Sequence, residues 1–233
     1  VATLVQNGID AVMHLNCRDM NRLALQAHVM AGYALGIRNV LVIGGDPVKN
    51  GDQPETKEVY DLAPGEALSM CRQLTIGKDL AGVELHGGTT DLMIGAAANP
   101  THPDLDLELQ KTNSKVAGGA TFFQTQGIYD VDRCAQFMQL AESKHVPVLA
   151  GIIPLRTEKM ADLIKNKIPG TWVPDDVYER HIKSDDMFET ALEFSVETVL
   201  KLRDVVHGVH IMTIGSRKMT EAIIERLHER GIR

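Results

Sequence analysis

Asn39-Val40-Leu41-Val42-Ile43-Gly44-Gly45-Asp46-Pro47 is an apolar run that stops at two glycines and a carboxylate. Val40 to Ile43 are aliphatic without polar alternation, the pattern of a strand buried on both faces in a parallel sheet covered by helices. Gly44 and Gly45 permit a sharp turn and the close approach of a flat ligand, and Pro47 prevents the strand from continuing. Asp46 therefore sits at a strand's carboxyl end, where ligands bind in α/β proteins. The alternative is that Asp46 only caps the following turn, since Asp and Gly dominate turns.

Working outward, Ala11 to Asn16 forms a strand pattern. Asp19 is a candidate N-cap for a helix over about Asn21 to Leu35, with Leu23, Ala27, Met30 and Ala34 on one face. Gly36 closes that helix and Arg38 leads into the opening strand, a βαβ unit that should cross over right-handed. Beyond Asp46 the chain is polar to Asp61, a loop of roughly 15 residues, longer than ordinary βα connections and of a kind that carries function. A helix from about Pro64 to Leu74 and a glycine-broken loop from Gly77 to Gly88 precede a third strand, Leu92 to Ala98. The small residues at its end leave room for a planar ligand. His102 follows in a loop fixed by Pro100 and Pro103.

The helix from Asp104 to about Ala117 places Leu105, Leu109, Thr112 and Val116 toward the core. Glu108, Lys111 and Lys115 share another row, which by spacing alone reads as an exposed ion-pair ladder rather than a site lining. A strand from Ala120 to Gln126 ends at an amide able to donate and accept at once. There follow a helix over Val131 to Ser143, a buried strand from Val146 to Pro154 and a helix near Glu158 to Lys165. Pro169 to Ser184 is irregular, with the lone Trp172 and a short helical turn near Asp175 to Arg180. A long helix over Asp185 to Val206 has Phe188, Leu192, Ser195, Val199 and Leu202 on one face. A last strand over Val209 to Ile214 and a helix over Arg217 to Arg230 complete six β-then-α units.

Composition narrows the function class. The 233 residues carry a net charge of -7 with 24 Lys+Arg, so no nucleic-acid partner is expected. Cys17, Cys71 and Cys134 are widely spaced and form no CxxC pair, which argues against a disulfide framework or a zinc site and fits a cytoplasmic protein. No apolar run approaches the roughly 20 residues that span a bilayer, so no membrane partner is expected. GxGxxG after the first strand and GxxxxGK[ST] are both absent. Six βα units suit either a doubly wound sheet or a (β/α)8 barrel, and the latter requires two more. The start at Val1 rather than Met suggests a single barrel domain over 1–233 lacking its first one or two units.

His14-Leu15-Asn16-Cys17-Arg18-Asp19, Gly36 to Val40, Gly45-Asp46-Pro47, Asn99-Pro100-Thr101-His102-Pro103, Lys115 to Ala120, Gln126 and Gly151-Ile152-Ile153-Pro154 occur in the order seen in methylenetetrahydrofolate reductases. The chain resembles that family from about Met13 onward. The resemblance implies a (β/α)8 barrel holding FAD, with FMN as the alternative. Reduced flavin N5 then delivers hydride to 5,10-methylenetetrahydrofolate, with NAD(P)H or another donor upstream, in one-carbon metabolism and methionine biosynthesis.

By the same resemblance, His14, Asn99, His102, Glu108 and Lys115 contact the cofactor, which reverses the ladder reading, and Glu108 replaces the family's usual Asp. Gln126 contacts the pterin or nicotinamide ring. Asp46 stands beside flavin and folate, where a fixed anion stabilises the cationic 5-iminium form of the substrate. No metal is implied. The expected partners are the folate and either further copies of the chain or a redox complex. Three family features are missing: the Phe-Glu-Phe-Phe-Pro-like motif bearing the general acid, an aromatic shortly after Pro154, and an aromatic where Met212 stands. The alternative functions are a non-catalytic flavin- or folate-binding subunit of a larger one-carbon complex and, more distantly, a pterin-binding barrel that transfers methyl groups without flavin.

Overall fold

The structure, a computed structural model, describes residues 1–141, 145–168 and 170–232. Strands β1 (Val12–Asn16), β2 (Asn39–Ile43), β3 (Met93–Ala98), β4 (Phe122–Gly127), β5 (Val148–Ile152) and β6 (Gly208–Ile211) form one sheet in sequence order. Parallel neighbours need crossovers rather than hairpins, and helices supply them. These are α2 (Arg22–Ala34), α3 (Pro64–Thr75), α4 (Leu105–Ala117), α5 (Val131–Leu140), α6 (Glu158–Lys167), α7 (Asp175–Ile182) and α8 (Met187–Leu202), with α1 (Ala2–Gln6) before β1 and α9 (Arg217–Glu229) after β6. The fold is α/β, and its six βα units are those of a partial (β/α)8 barrel. No helix among the described residues is long and apolar enough to cross a membrane.

The chain divides into two compact units, Val1–Ala97 with Asn113–Phe123, and Ala98–Thr112 with Gln124–Arg233. In the first unit, parallel pairing aligns His14 with Leu41 and Leu41 with Gly95, so these three residues share one face of the sheet. The alternate residues Met13, Leu15, Val40, Val42, Ile94 and Ala96 are buried. A Cβ on Gly95 would lie 2.3 Å from the Phe122 ring. The space left by this glycine is therefore filled by Phe122.

Two details of α2 differ from the sequence reading. Its N-cap is Asn21, whose Oδ1 accepts the Ala24 amide at 3.0 Å, because Asp19 is drawn instead to Arg18 at 2.6 Å. Its buried stripe is Leu25, Val29 and Gly32, whereas Leu23 and Met30 are 73% and 44% exposed. Gly32 explains the choice: a Cβ there would meet Met13 Sδ at 3.1 Å, so the helix approaches β1 along this glycine. The helix α3 begins at Pro64, and Glu66 reaches back to accept the Ala63 amide at 2.7 Å.

In the second unit, Leu192, Val196, Val199 and Leu202 of α8 pack with Ala150 and Ile152 of β5 and with Met219, Ile223 and Leu227 of α9. A second cluster joins Tyr129, Leu155, Ile164, Val173 and Val177. The short helical turn expected near Asp175 to Arg180 is the helix α7, which runs to Ile182 and is anchored by burial of Val177 and His181 one turn apart. Ser143 and Pro169, where the sequence reading placed a helix end and a loop start, lie outside the described residues. Gly151 of β5 is required by close pairing, since a Cβ would fall 2.7 Å from the Gln126 carbonyl oxygen.

Candidate functional site

The first unit presents Asp46, His14 and Lys115. Gly45 turns the chain with φ +90°, and a Cβ there would lie 2.3 Å from Asn16 Oδ1. Asn16 is itself fixed, accepting the Arg18 amide at 3.0 Å and donating Nδ2 to Asp19 at 2.7 Å. The Arg18 guanidinium donates to Asp19 and, at 2.6 Å, to the Asp46 carbonyl oxygen. From the other side the Tyr60 hydroxyl donates to the Gly45 carbonyl at 3.1 Å, with Tyr60 in the left-handed region at φ +43°. Charged hydrogen bonds from Arg18 hold the Asp19 carboxyl below its ordinary range, and desolvation raises the Tyr60 phenol.

The main chain at Gly45-Asp46 is thus clamped by groups other than the Asp46 side chain. The exposed Asp46 carboxylate accepts no hydrogen bond from the described residues, and the next turn is held by Glu58, which accepts the Val48 amide at 2.9 Å. His14 is exposed on β1. Lys115, in the last turn of α4, donates Nζ to the Ala97 carbonyl at 2.6 Å, at the end of β3.

The second unit gathers Asn99, His102 and Glu108. Glu108 is 4% exposed, and its Oε1 accepts the buried Asn99 amide at 2.8 Å. It is therefore no member of an exposed ladder with Lys111. The Asn99 side chain donates to the Gly170 carbonyl at 2.6 Å, and the Asn99 main-chain carbonyl accepts the His102 amide at 3.0 Å. His102 Nδ1 lies 3.0 Å from the Asp104 amide and 2.7 Å from the Asp104 carbonyl oxygen. Either partner consumes Nδ1, which leaves Nε2 as the ring nitrogen for a ligand. Gln126 is half-buried at the end of β4, and its amide makes no hydrogen bond to the described residues.

Sequence reasoning passed over several supporting residues. Arg133, in the first turn of α5, donates to the His102 and Pro103 carbonyls at 2.6 and 2.9 Å and lies 5.7 Å from the Trp172 ring centroid. Its signal was available, since Asp130 N-caps α5 by accepting the Arg133 amide at 2.9 Å, which fixes where that first turn begins. Arg18 lies inside a quoted motif without an assigned role. Tyr60 sits in the long loop with nothing in its spacing to mark it.

The family model described as "Methylenetetrahydrofolate reductase" matches residues 1–228. Methylenetetrahydrofolate reductase 1 of Schizosaccharomyces pombe is 27% identical over 94% of this chain and 36% of that protein. Methylenetetrahydrofolate reductase 2 of Saccharomyces cerevisiae is 29% identical over 95% of this chain and 37% of its own length. The chain thus spans about a third of the length of these yeast relatives. The Escherichia coli 5,10-methylenetetrahydrofolate reductase is 25% identical over 98% of this chain and 72% of that protein. Among solved structures, an uncharacterized Clostridium thermocellum protein that binds two copies of 5-methyl-5,6,7,8-tetrahydrofolic acid superimposes with a TM-score of 0.52 at 15% identity, covering 98% of both chains. That likeness shows the fold.

Proposed function

Because the chain belongs to the methylenetetrahydrofolate reductase family, we propose that it takes part in reducing 5,10-methylenetetrahydrofolate to 5-methyltetrahydrofolate at a flavin site. The observation that carries this reading is the family match over residues 1–228. Each unit by itself offers side chains of the kind such chemistry uses. Asp46 and Gln126 end their strands with side chains unspent on the described residues, and His102 keeps Nε2 available. Bound flavin, FAD or FMN, would supply the hydride for the methylene carbon, replenished by NAD(P)H or another donor.

Each residue's part follows from its surroundings. The Asp46 carboxylate, on a main chain held by Arg18 and Tyr60, is a preorganised anion for a substrate cation. Gln126 can pair with a heterocycle edge that both donates and accepts. His102 would donate or accept through Nε2, while Asn99 and Glu108 hold its loop in place. Lys115, His14, Asn99 and Glu108 are the remaining cofactor contacts in this reading. The partners are the folate and either further copies of this chain or a redox complex.

The test uses the purified full-length protein. Added FAD should bind, and after anaerobic reduction its absorbance near the oxidised band should return on mixing with 5,10-methylenetetrahydrofolate. Asp46→Asn should slow that return by about 10²-fold, the scale of one lost electrostatic stabiliser, with flavin affinity nearly unchanged. Equal loss of both would assign Asp46 a structural role. A chain that holds flavin yet never reoxidises it with the folate is the non-catalytic subunit. A chain that binds no flavin refutes the proposal.

A further inference from the structure

We propose that Arg133 is a positioning residue that sets the His102 loop by bridging its main chain to Trp172. This rests on the reading of His102 as a cofactor contact. Helical side chains slant toward the N-terminus of their helix, so an arginine in the first turn of α5 reaches back over the loops at the carboxyl ends of the strands. Arg133 does this, donating to two consecutive carbonyls, His102 at 2.6 Å and Pro103 at 2.9 Å. The guanidinium is also within cation–π range of Trp172, at 5.7 Å.

Both bonds leave from one nitrogen, Nη2, while Arg133 Nε is buried with no hydrogen-bond partner among the described residues. The same two segments meet at Asn99, which donates to the Gly170 carbonyl at 2.6 Å. Asn99 and Arg133 therefore tie the 170–172 segment to the two ends of a short loop, and His102 lies at the Arg133 end. With Nδ1 consumed by Asp104, the direction of Nε2 is set by the backbone that Arg133 grips.

The experiment compares the full chain with its Arg133→Ala form, with and without added methylguanidinium. Flavin affinity is read by fluorescence quenching, thermal unfolding by circular dichroism, and loop order by hydrogen exchange. We expect FAD affinity to fall at least tenfold, the unfolding temperature to change little, and exchange to rise in 99–105 only. Methylguanidinium should recover most of the affinity and the protection. Parent-like affinity in Arg133→Ala overturns the proposal. So does a loss that methylguanidinium does not repair and that spreads through α5. Should the parent chain bind no flavin, the functional reading fails while exchange still decides: loop-confined, methylguanidinium-reversible exchange upholds the positioning role, and unchanged exchange removes it.

Discussion

Replacing Glu108 by alanine and by glutamine separates two roles that one carboxylate could serve. Glu108 is 4% exposed and accepts the amide of Asn99, itself 8% exposed, at 2.8 Å. Alanine strands that amide without a partner in a buried place and deletes a charge-assisted hydrogen bond, a loss of roughly 2–3 kcal/mol. For a chain of this size that corresponds to an unfolding temperature lower by about 5–10 °C. Glutamine keeps an oxygen where Oε1 stands, so its cost should stay below about 1 kcal/mol. If Glu108 also holds the cofactor through its charge, Glu108→Gln should weaken flavin binding while leaving stability near that of the parent. Calorimetry and a flavin titration on the same preparations measure both. A Glu108→Ala chain that unfolds with the parent, or a Glu108→Gln chain as unstable as Glu108→Ala, would refute the assignment of the amide bond as the structural role.

Gly45→Ala should cost at least about 2 kcal/mol, since φ +90° strains any L side chain and the new Cβ would fall 2.3 Å from Asn16 Oδ1; a denaturant midpoint equal to the parent's would show that the Gly45 turn relaxes freely. His181 is 1% exposed, with Nδ1 2.7 Å from the Val177 carbonyl and Nε2 without a hydrogen-bond partner among the described residues, and burial lowers its pKa. The unfolded chain therefore binds this proton more readily than the folded one, so the His181 contribution is intact above a pH of about 6.5 and stability declines as pH falls below it. Melting curves between about pH 7 and pH 5 should show that decline, and His181→Leu should flatten it; an unchanged slope in the variant would assign the acid sensitivity elsewhere.

What was legible in the sequence, and what was not, divides by the kind of partner each residue has. The run Val40 to Ile43 suited a strand covered on both sides, and Gly45 a turn, because both statements concern the residue's own backbone and solvation. The stripe of α2 was ambiguous because two sets of residues satisfy helical spacing. Leu23, Ala27, Met30 and Ala34 are the larger set, but Gly32 admits Met13 and thereby decides which face is buried. Spacing likewise aligned Glu108 with Lys111 and Lys115, since its actual partner is a main-chain amide. Arg18 and Arg133 were missed for the same reason: they grip the carbonyls of Asp46, His102 and Pro103. A carbonyl is present at every position and leaves no mark in the residue alphabet. Side chains that would meet a ligand can therefore be proposed from sequence, while those that aim them become visible only once the loop's path is known. Substitutions at Arg133 and at Asp46 consequently probe different things, the orientation of one contact and the charge of another. Their effects on flavin affinity and on folate reduction should not track each other.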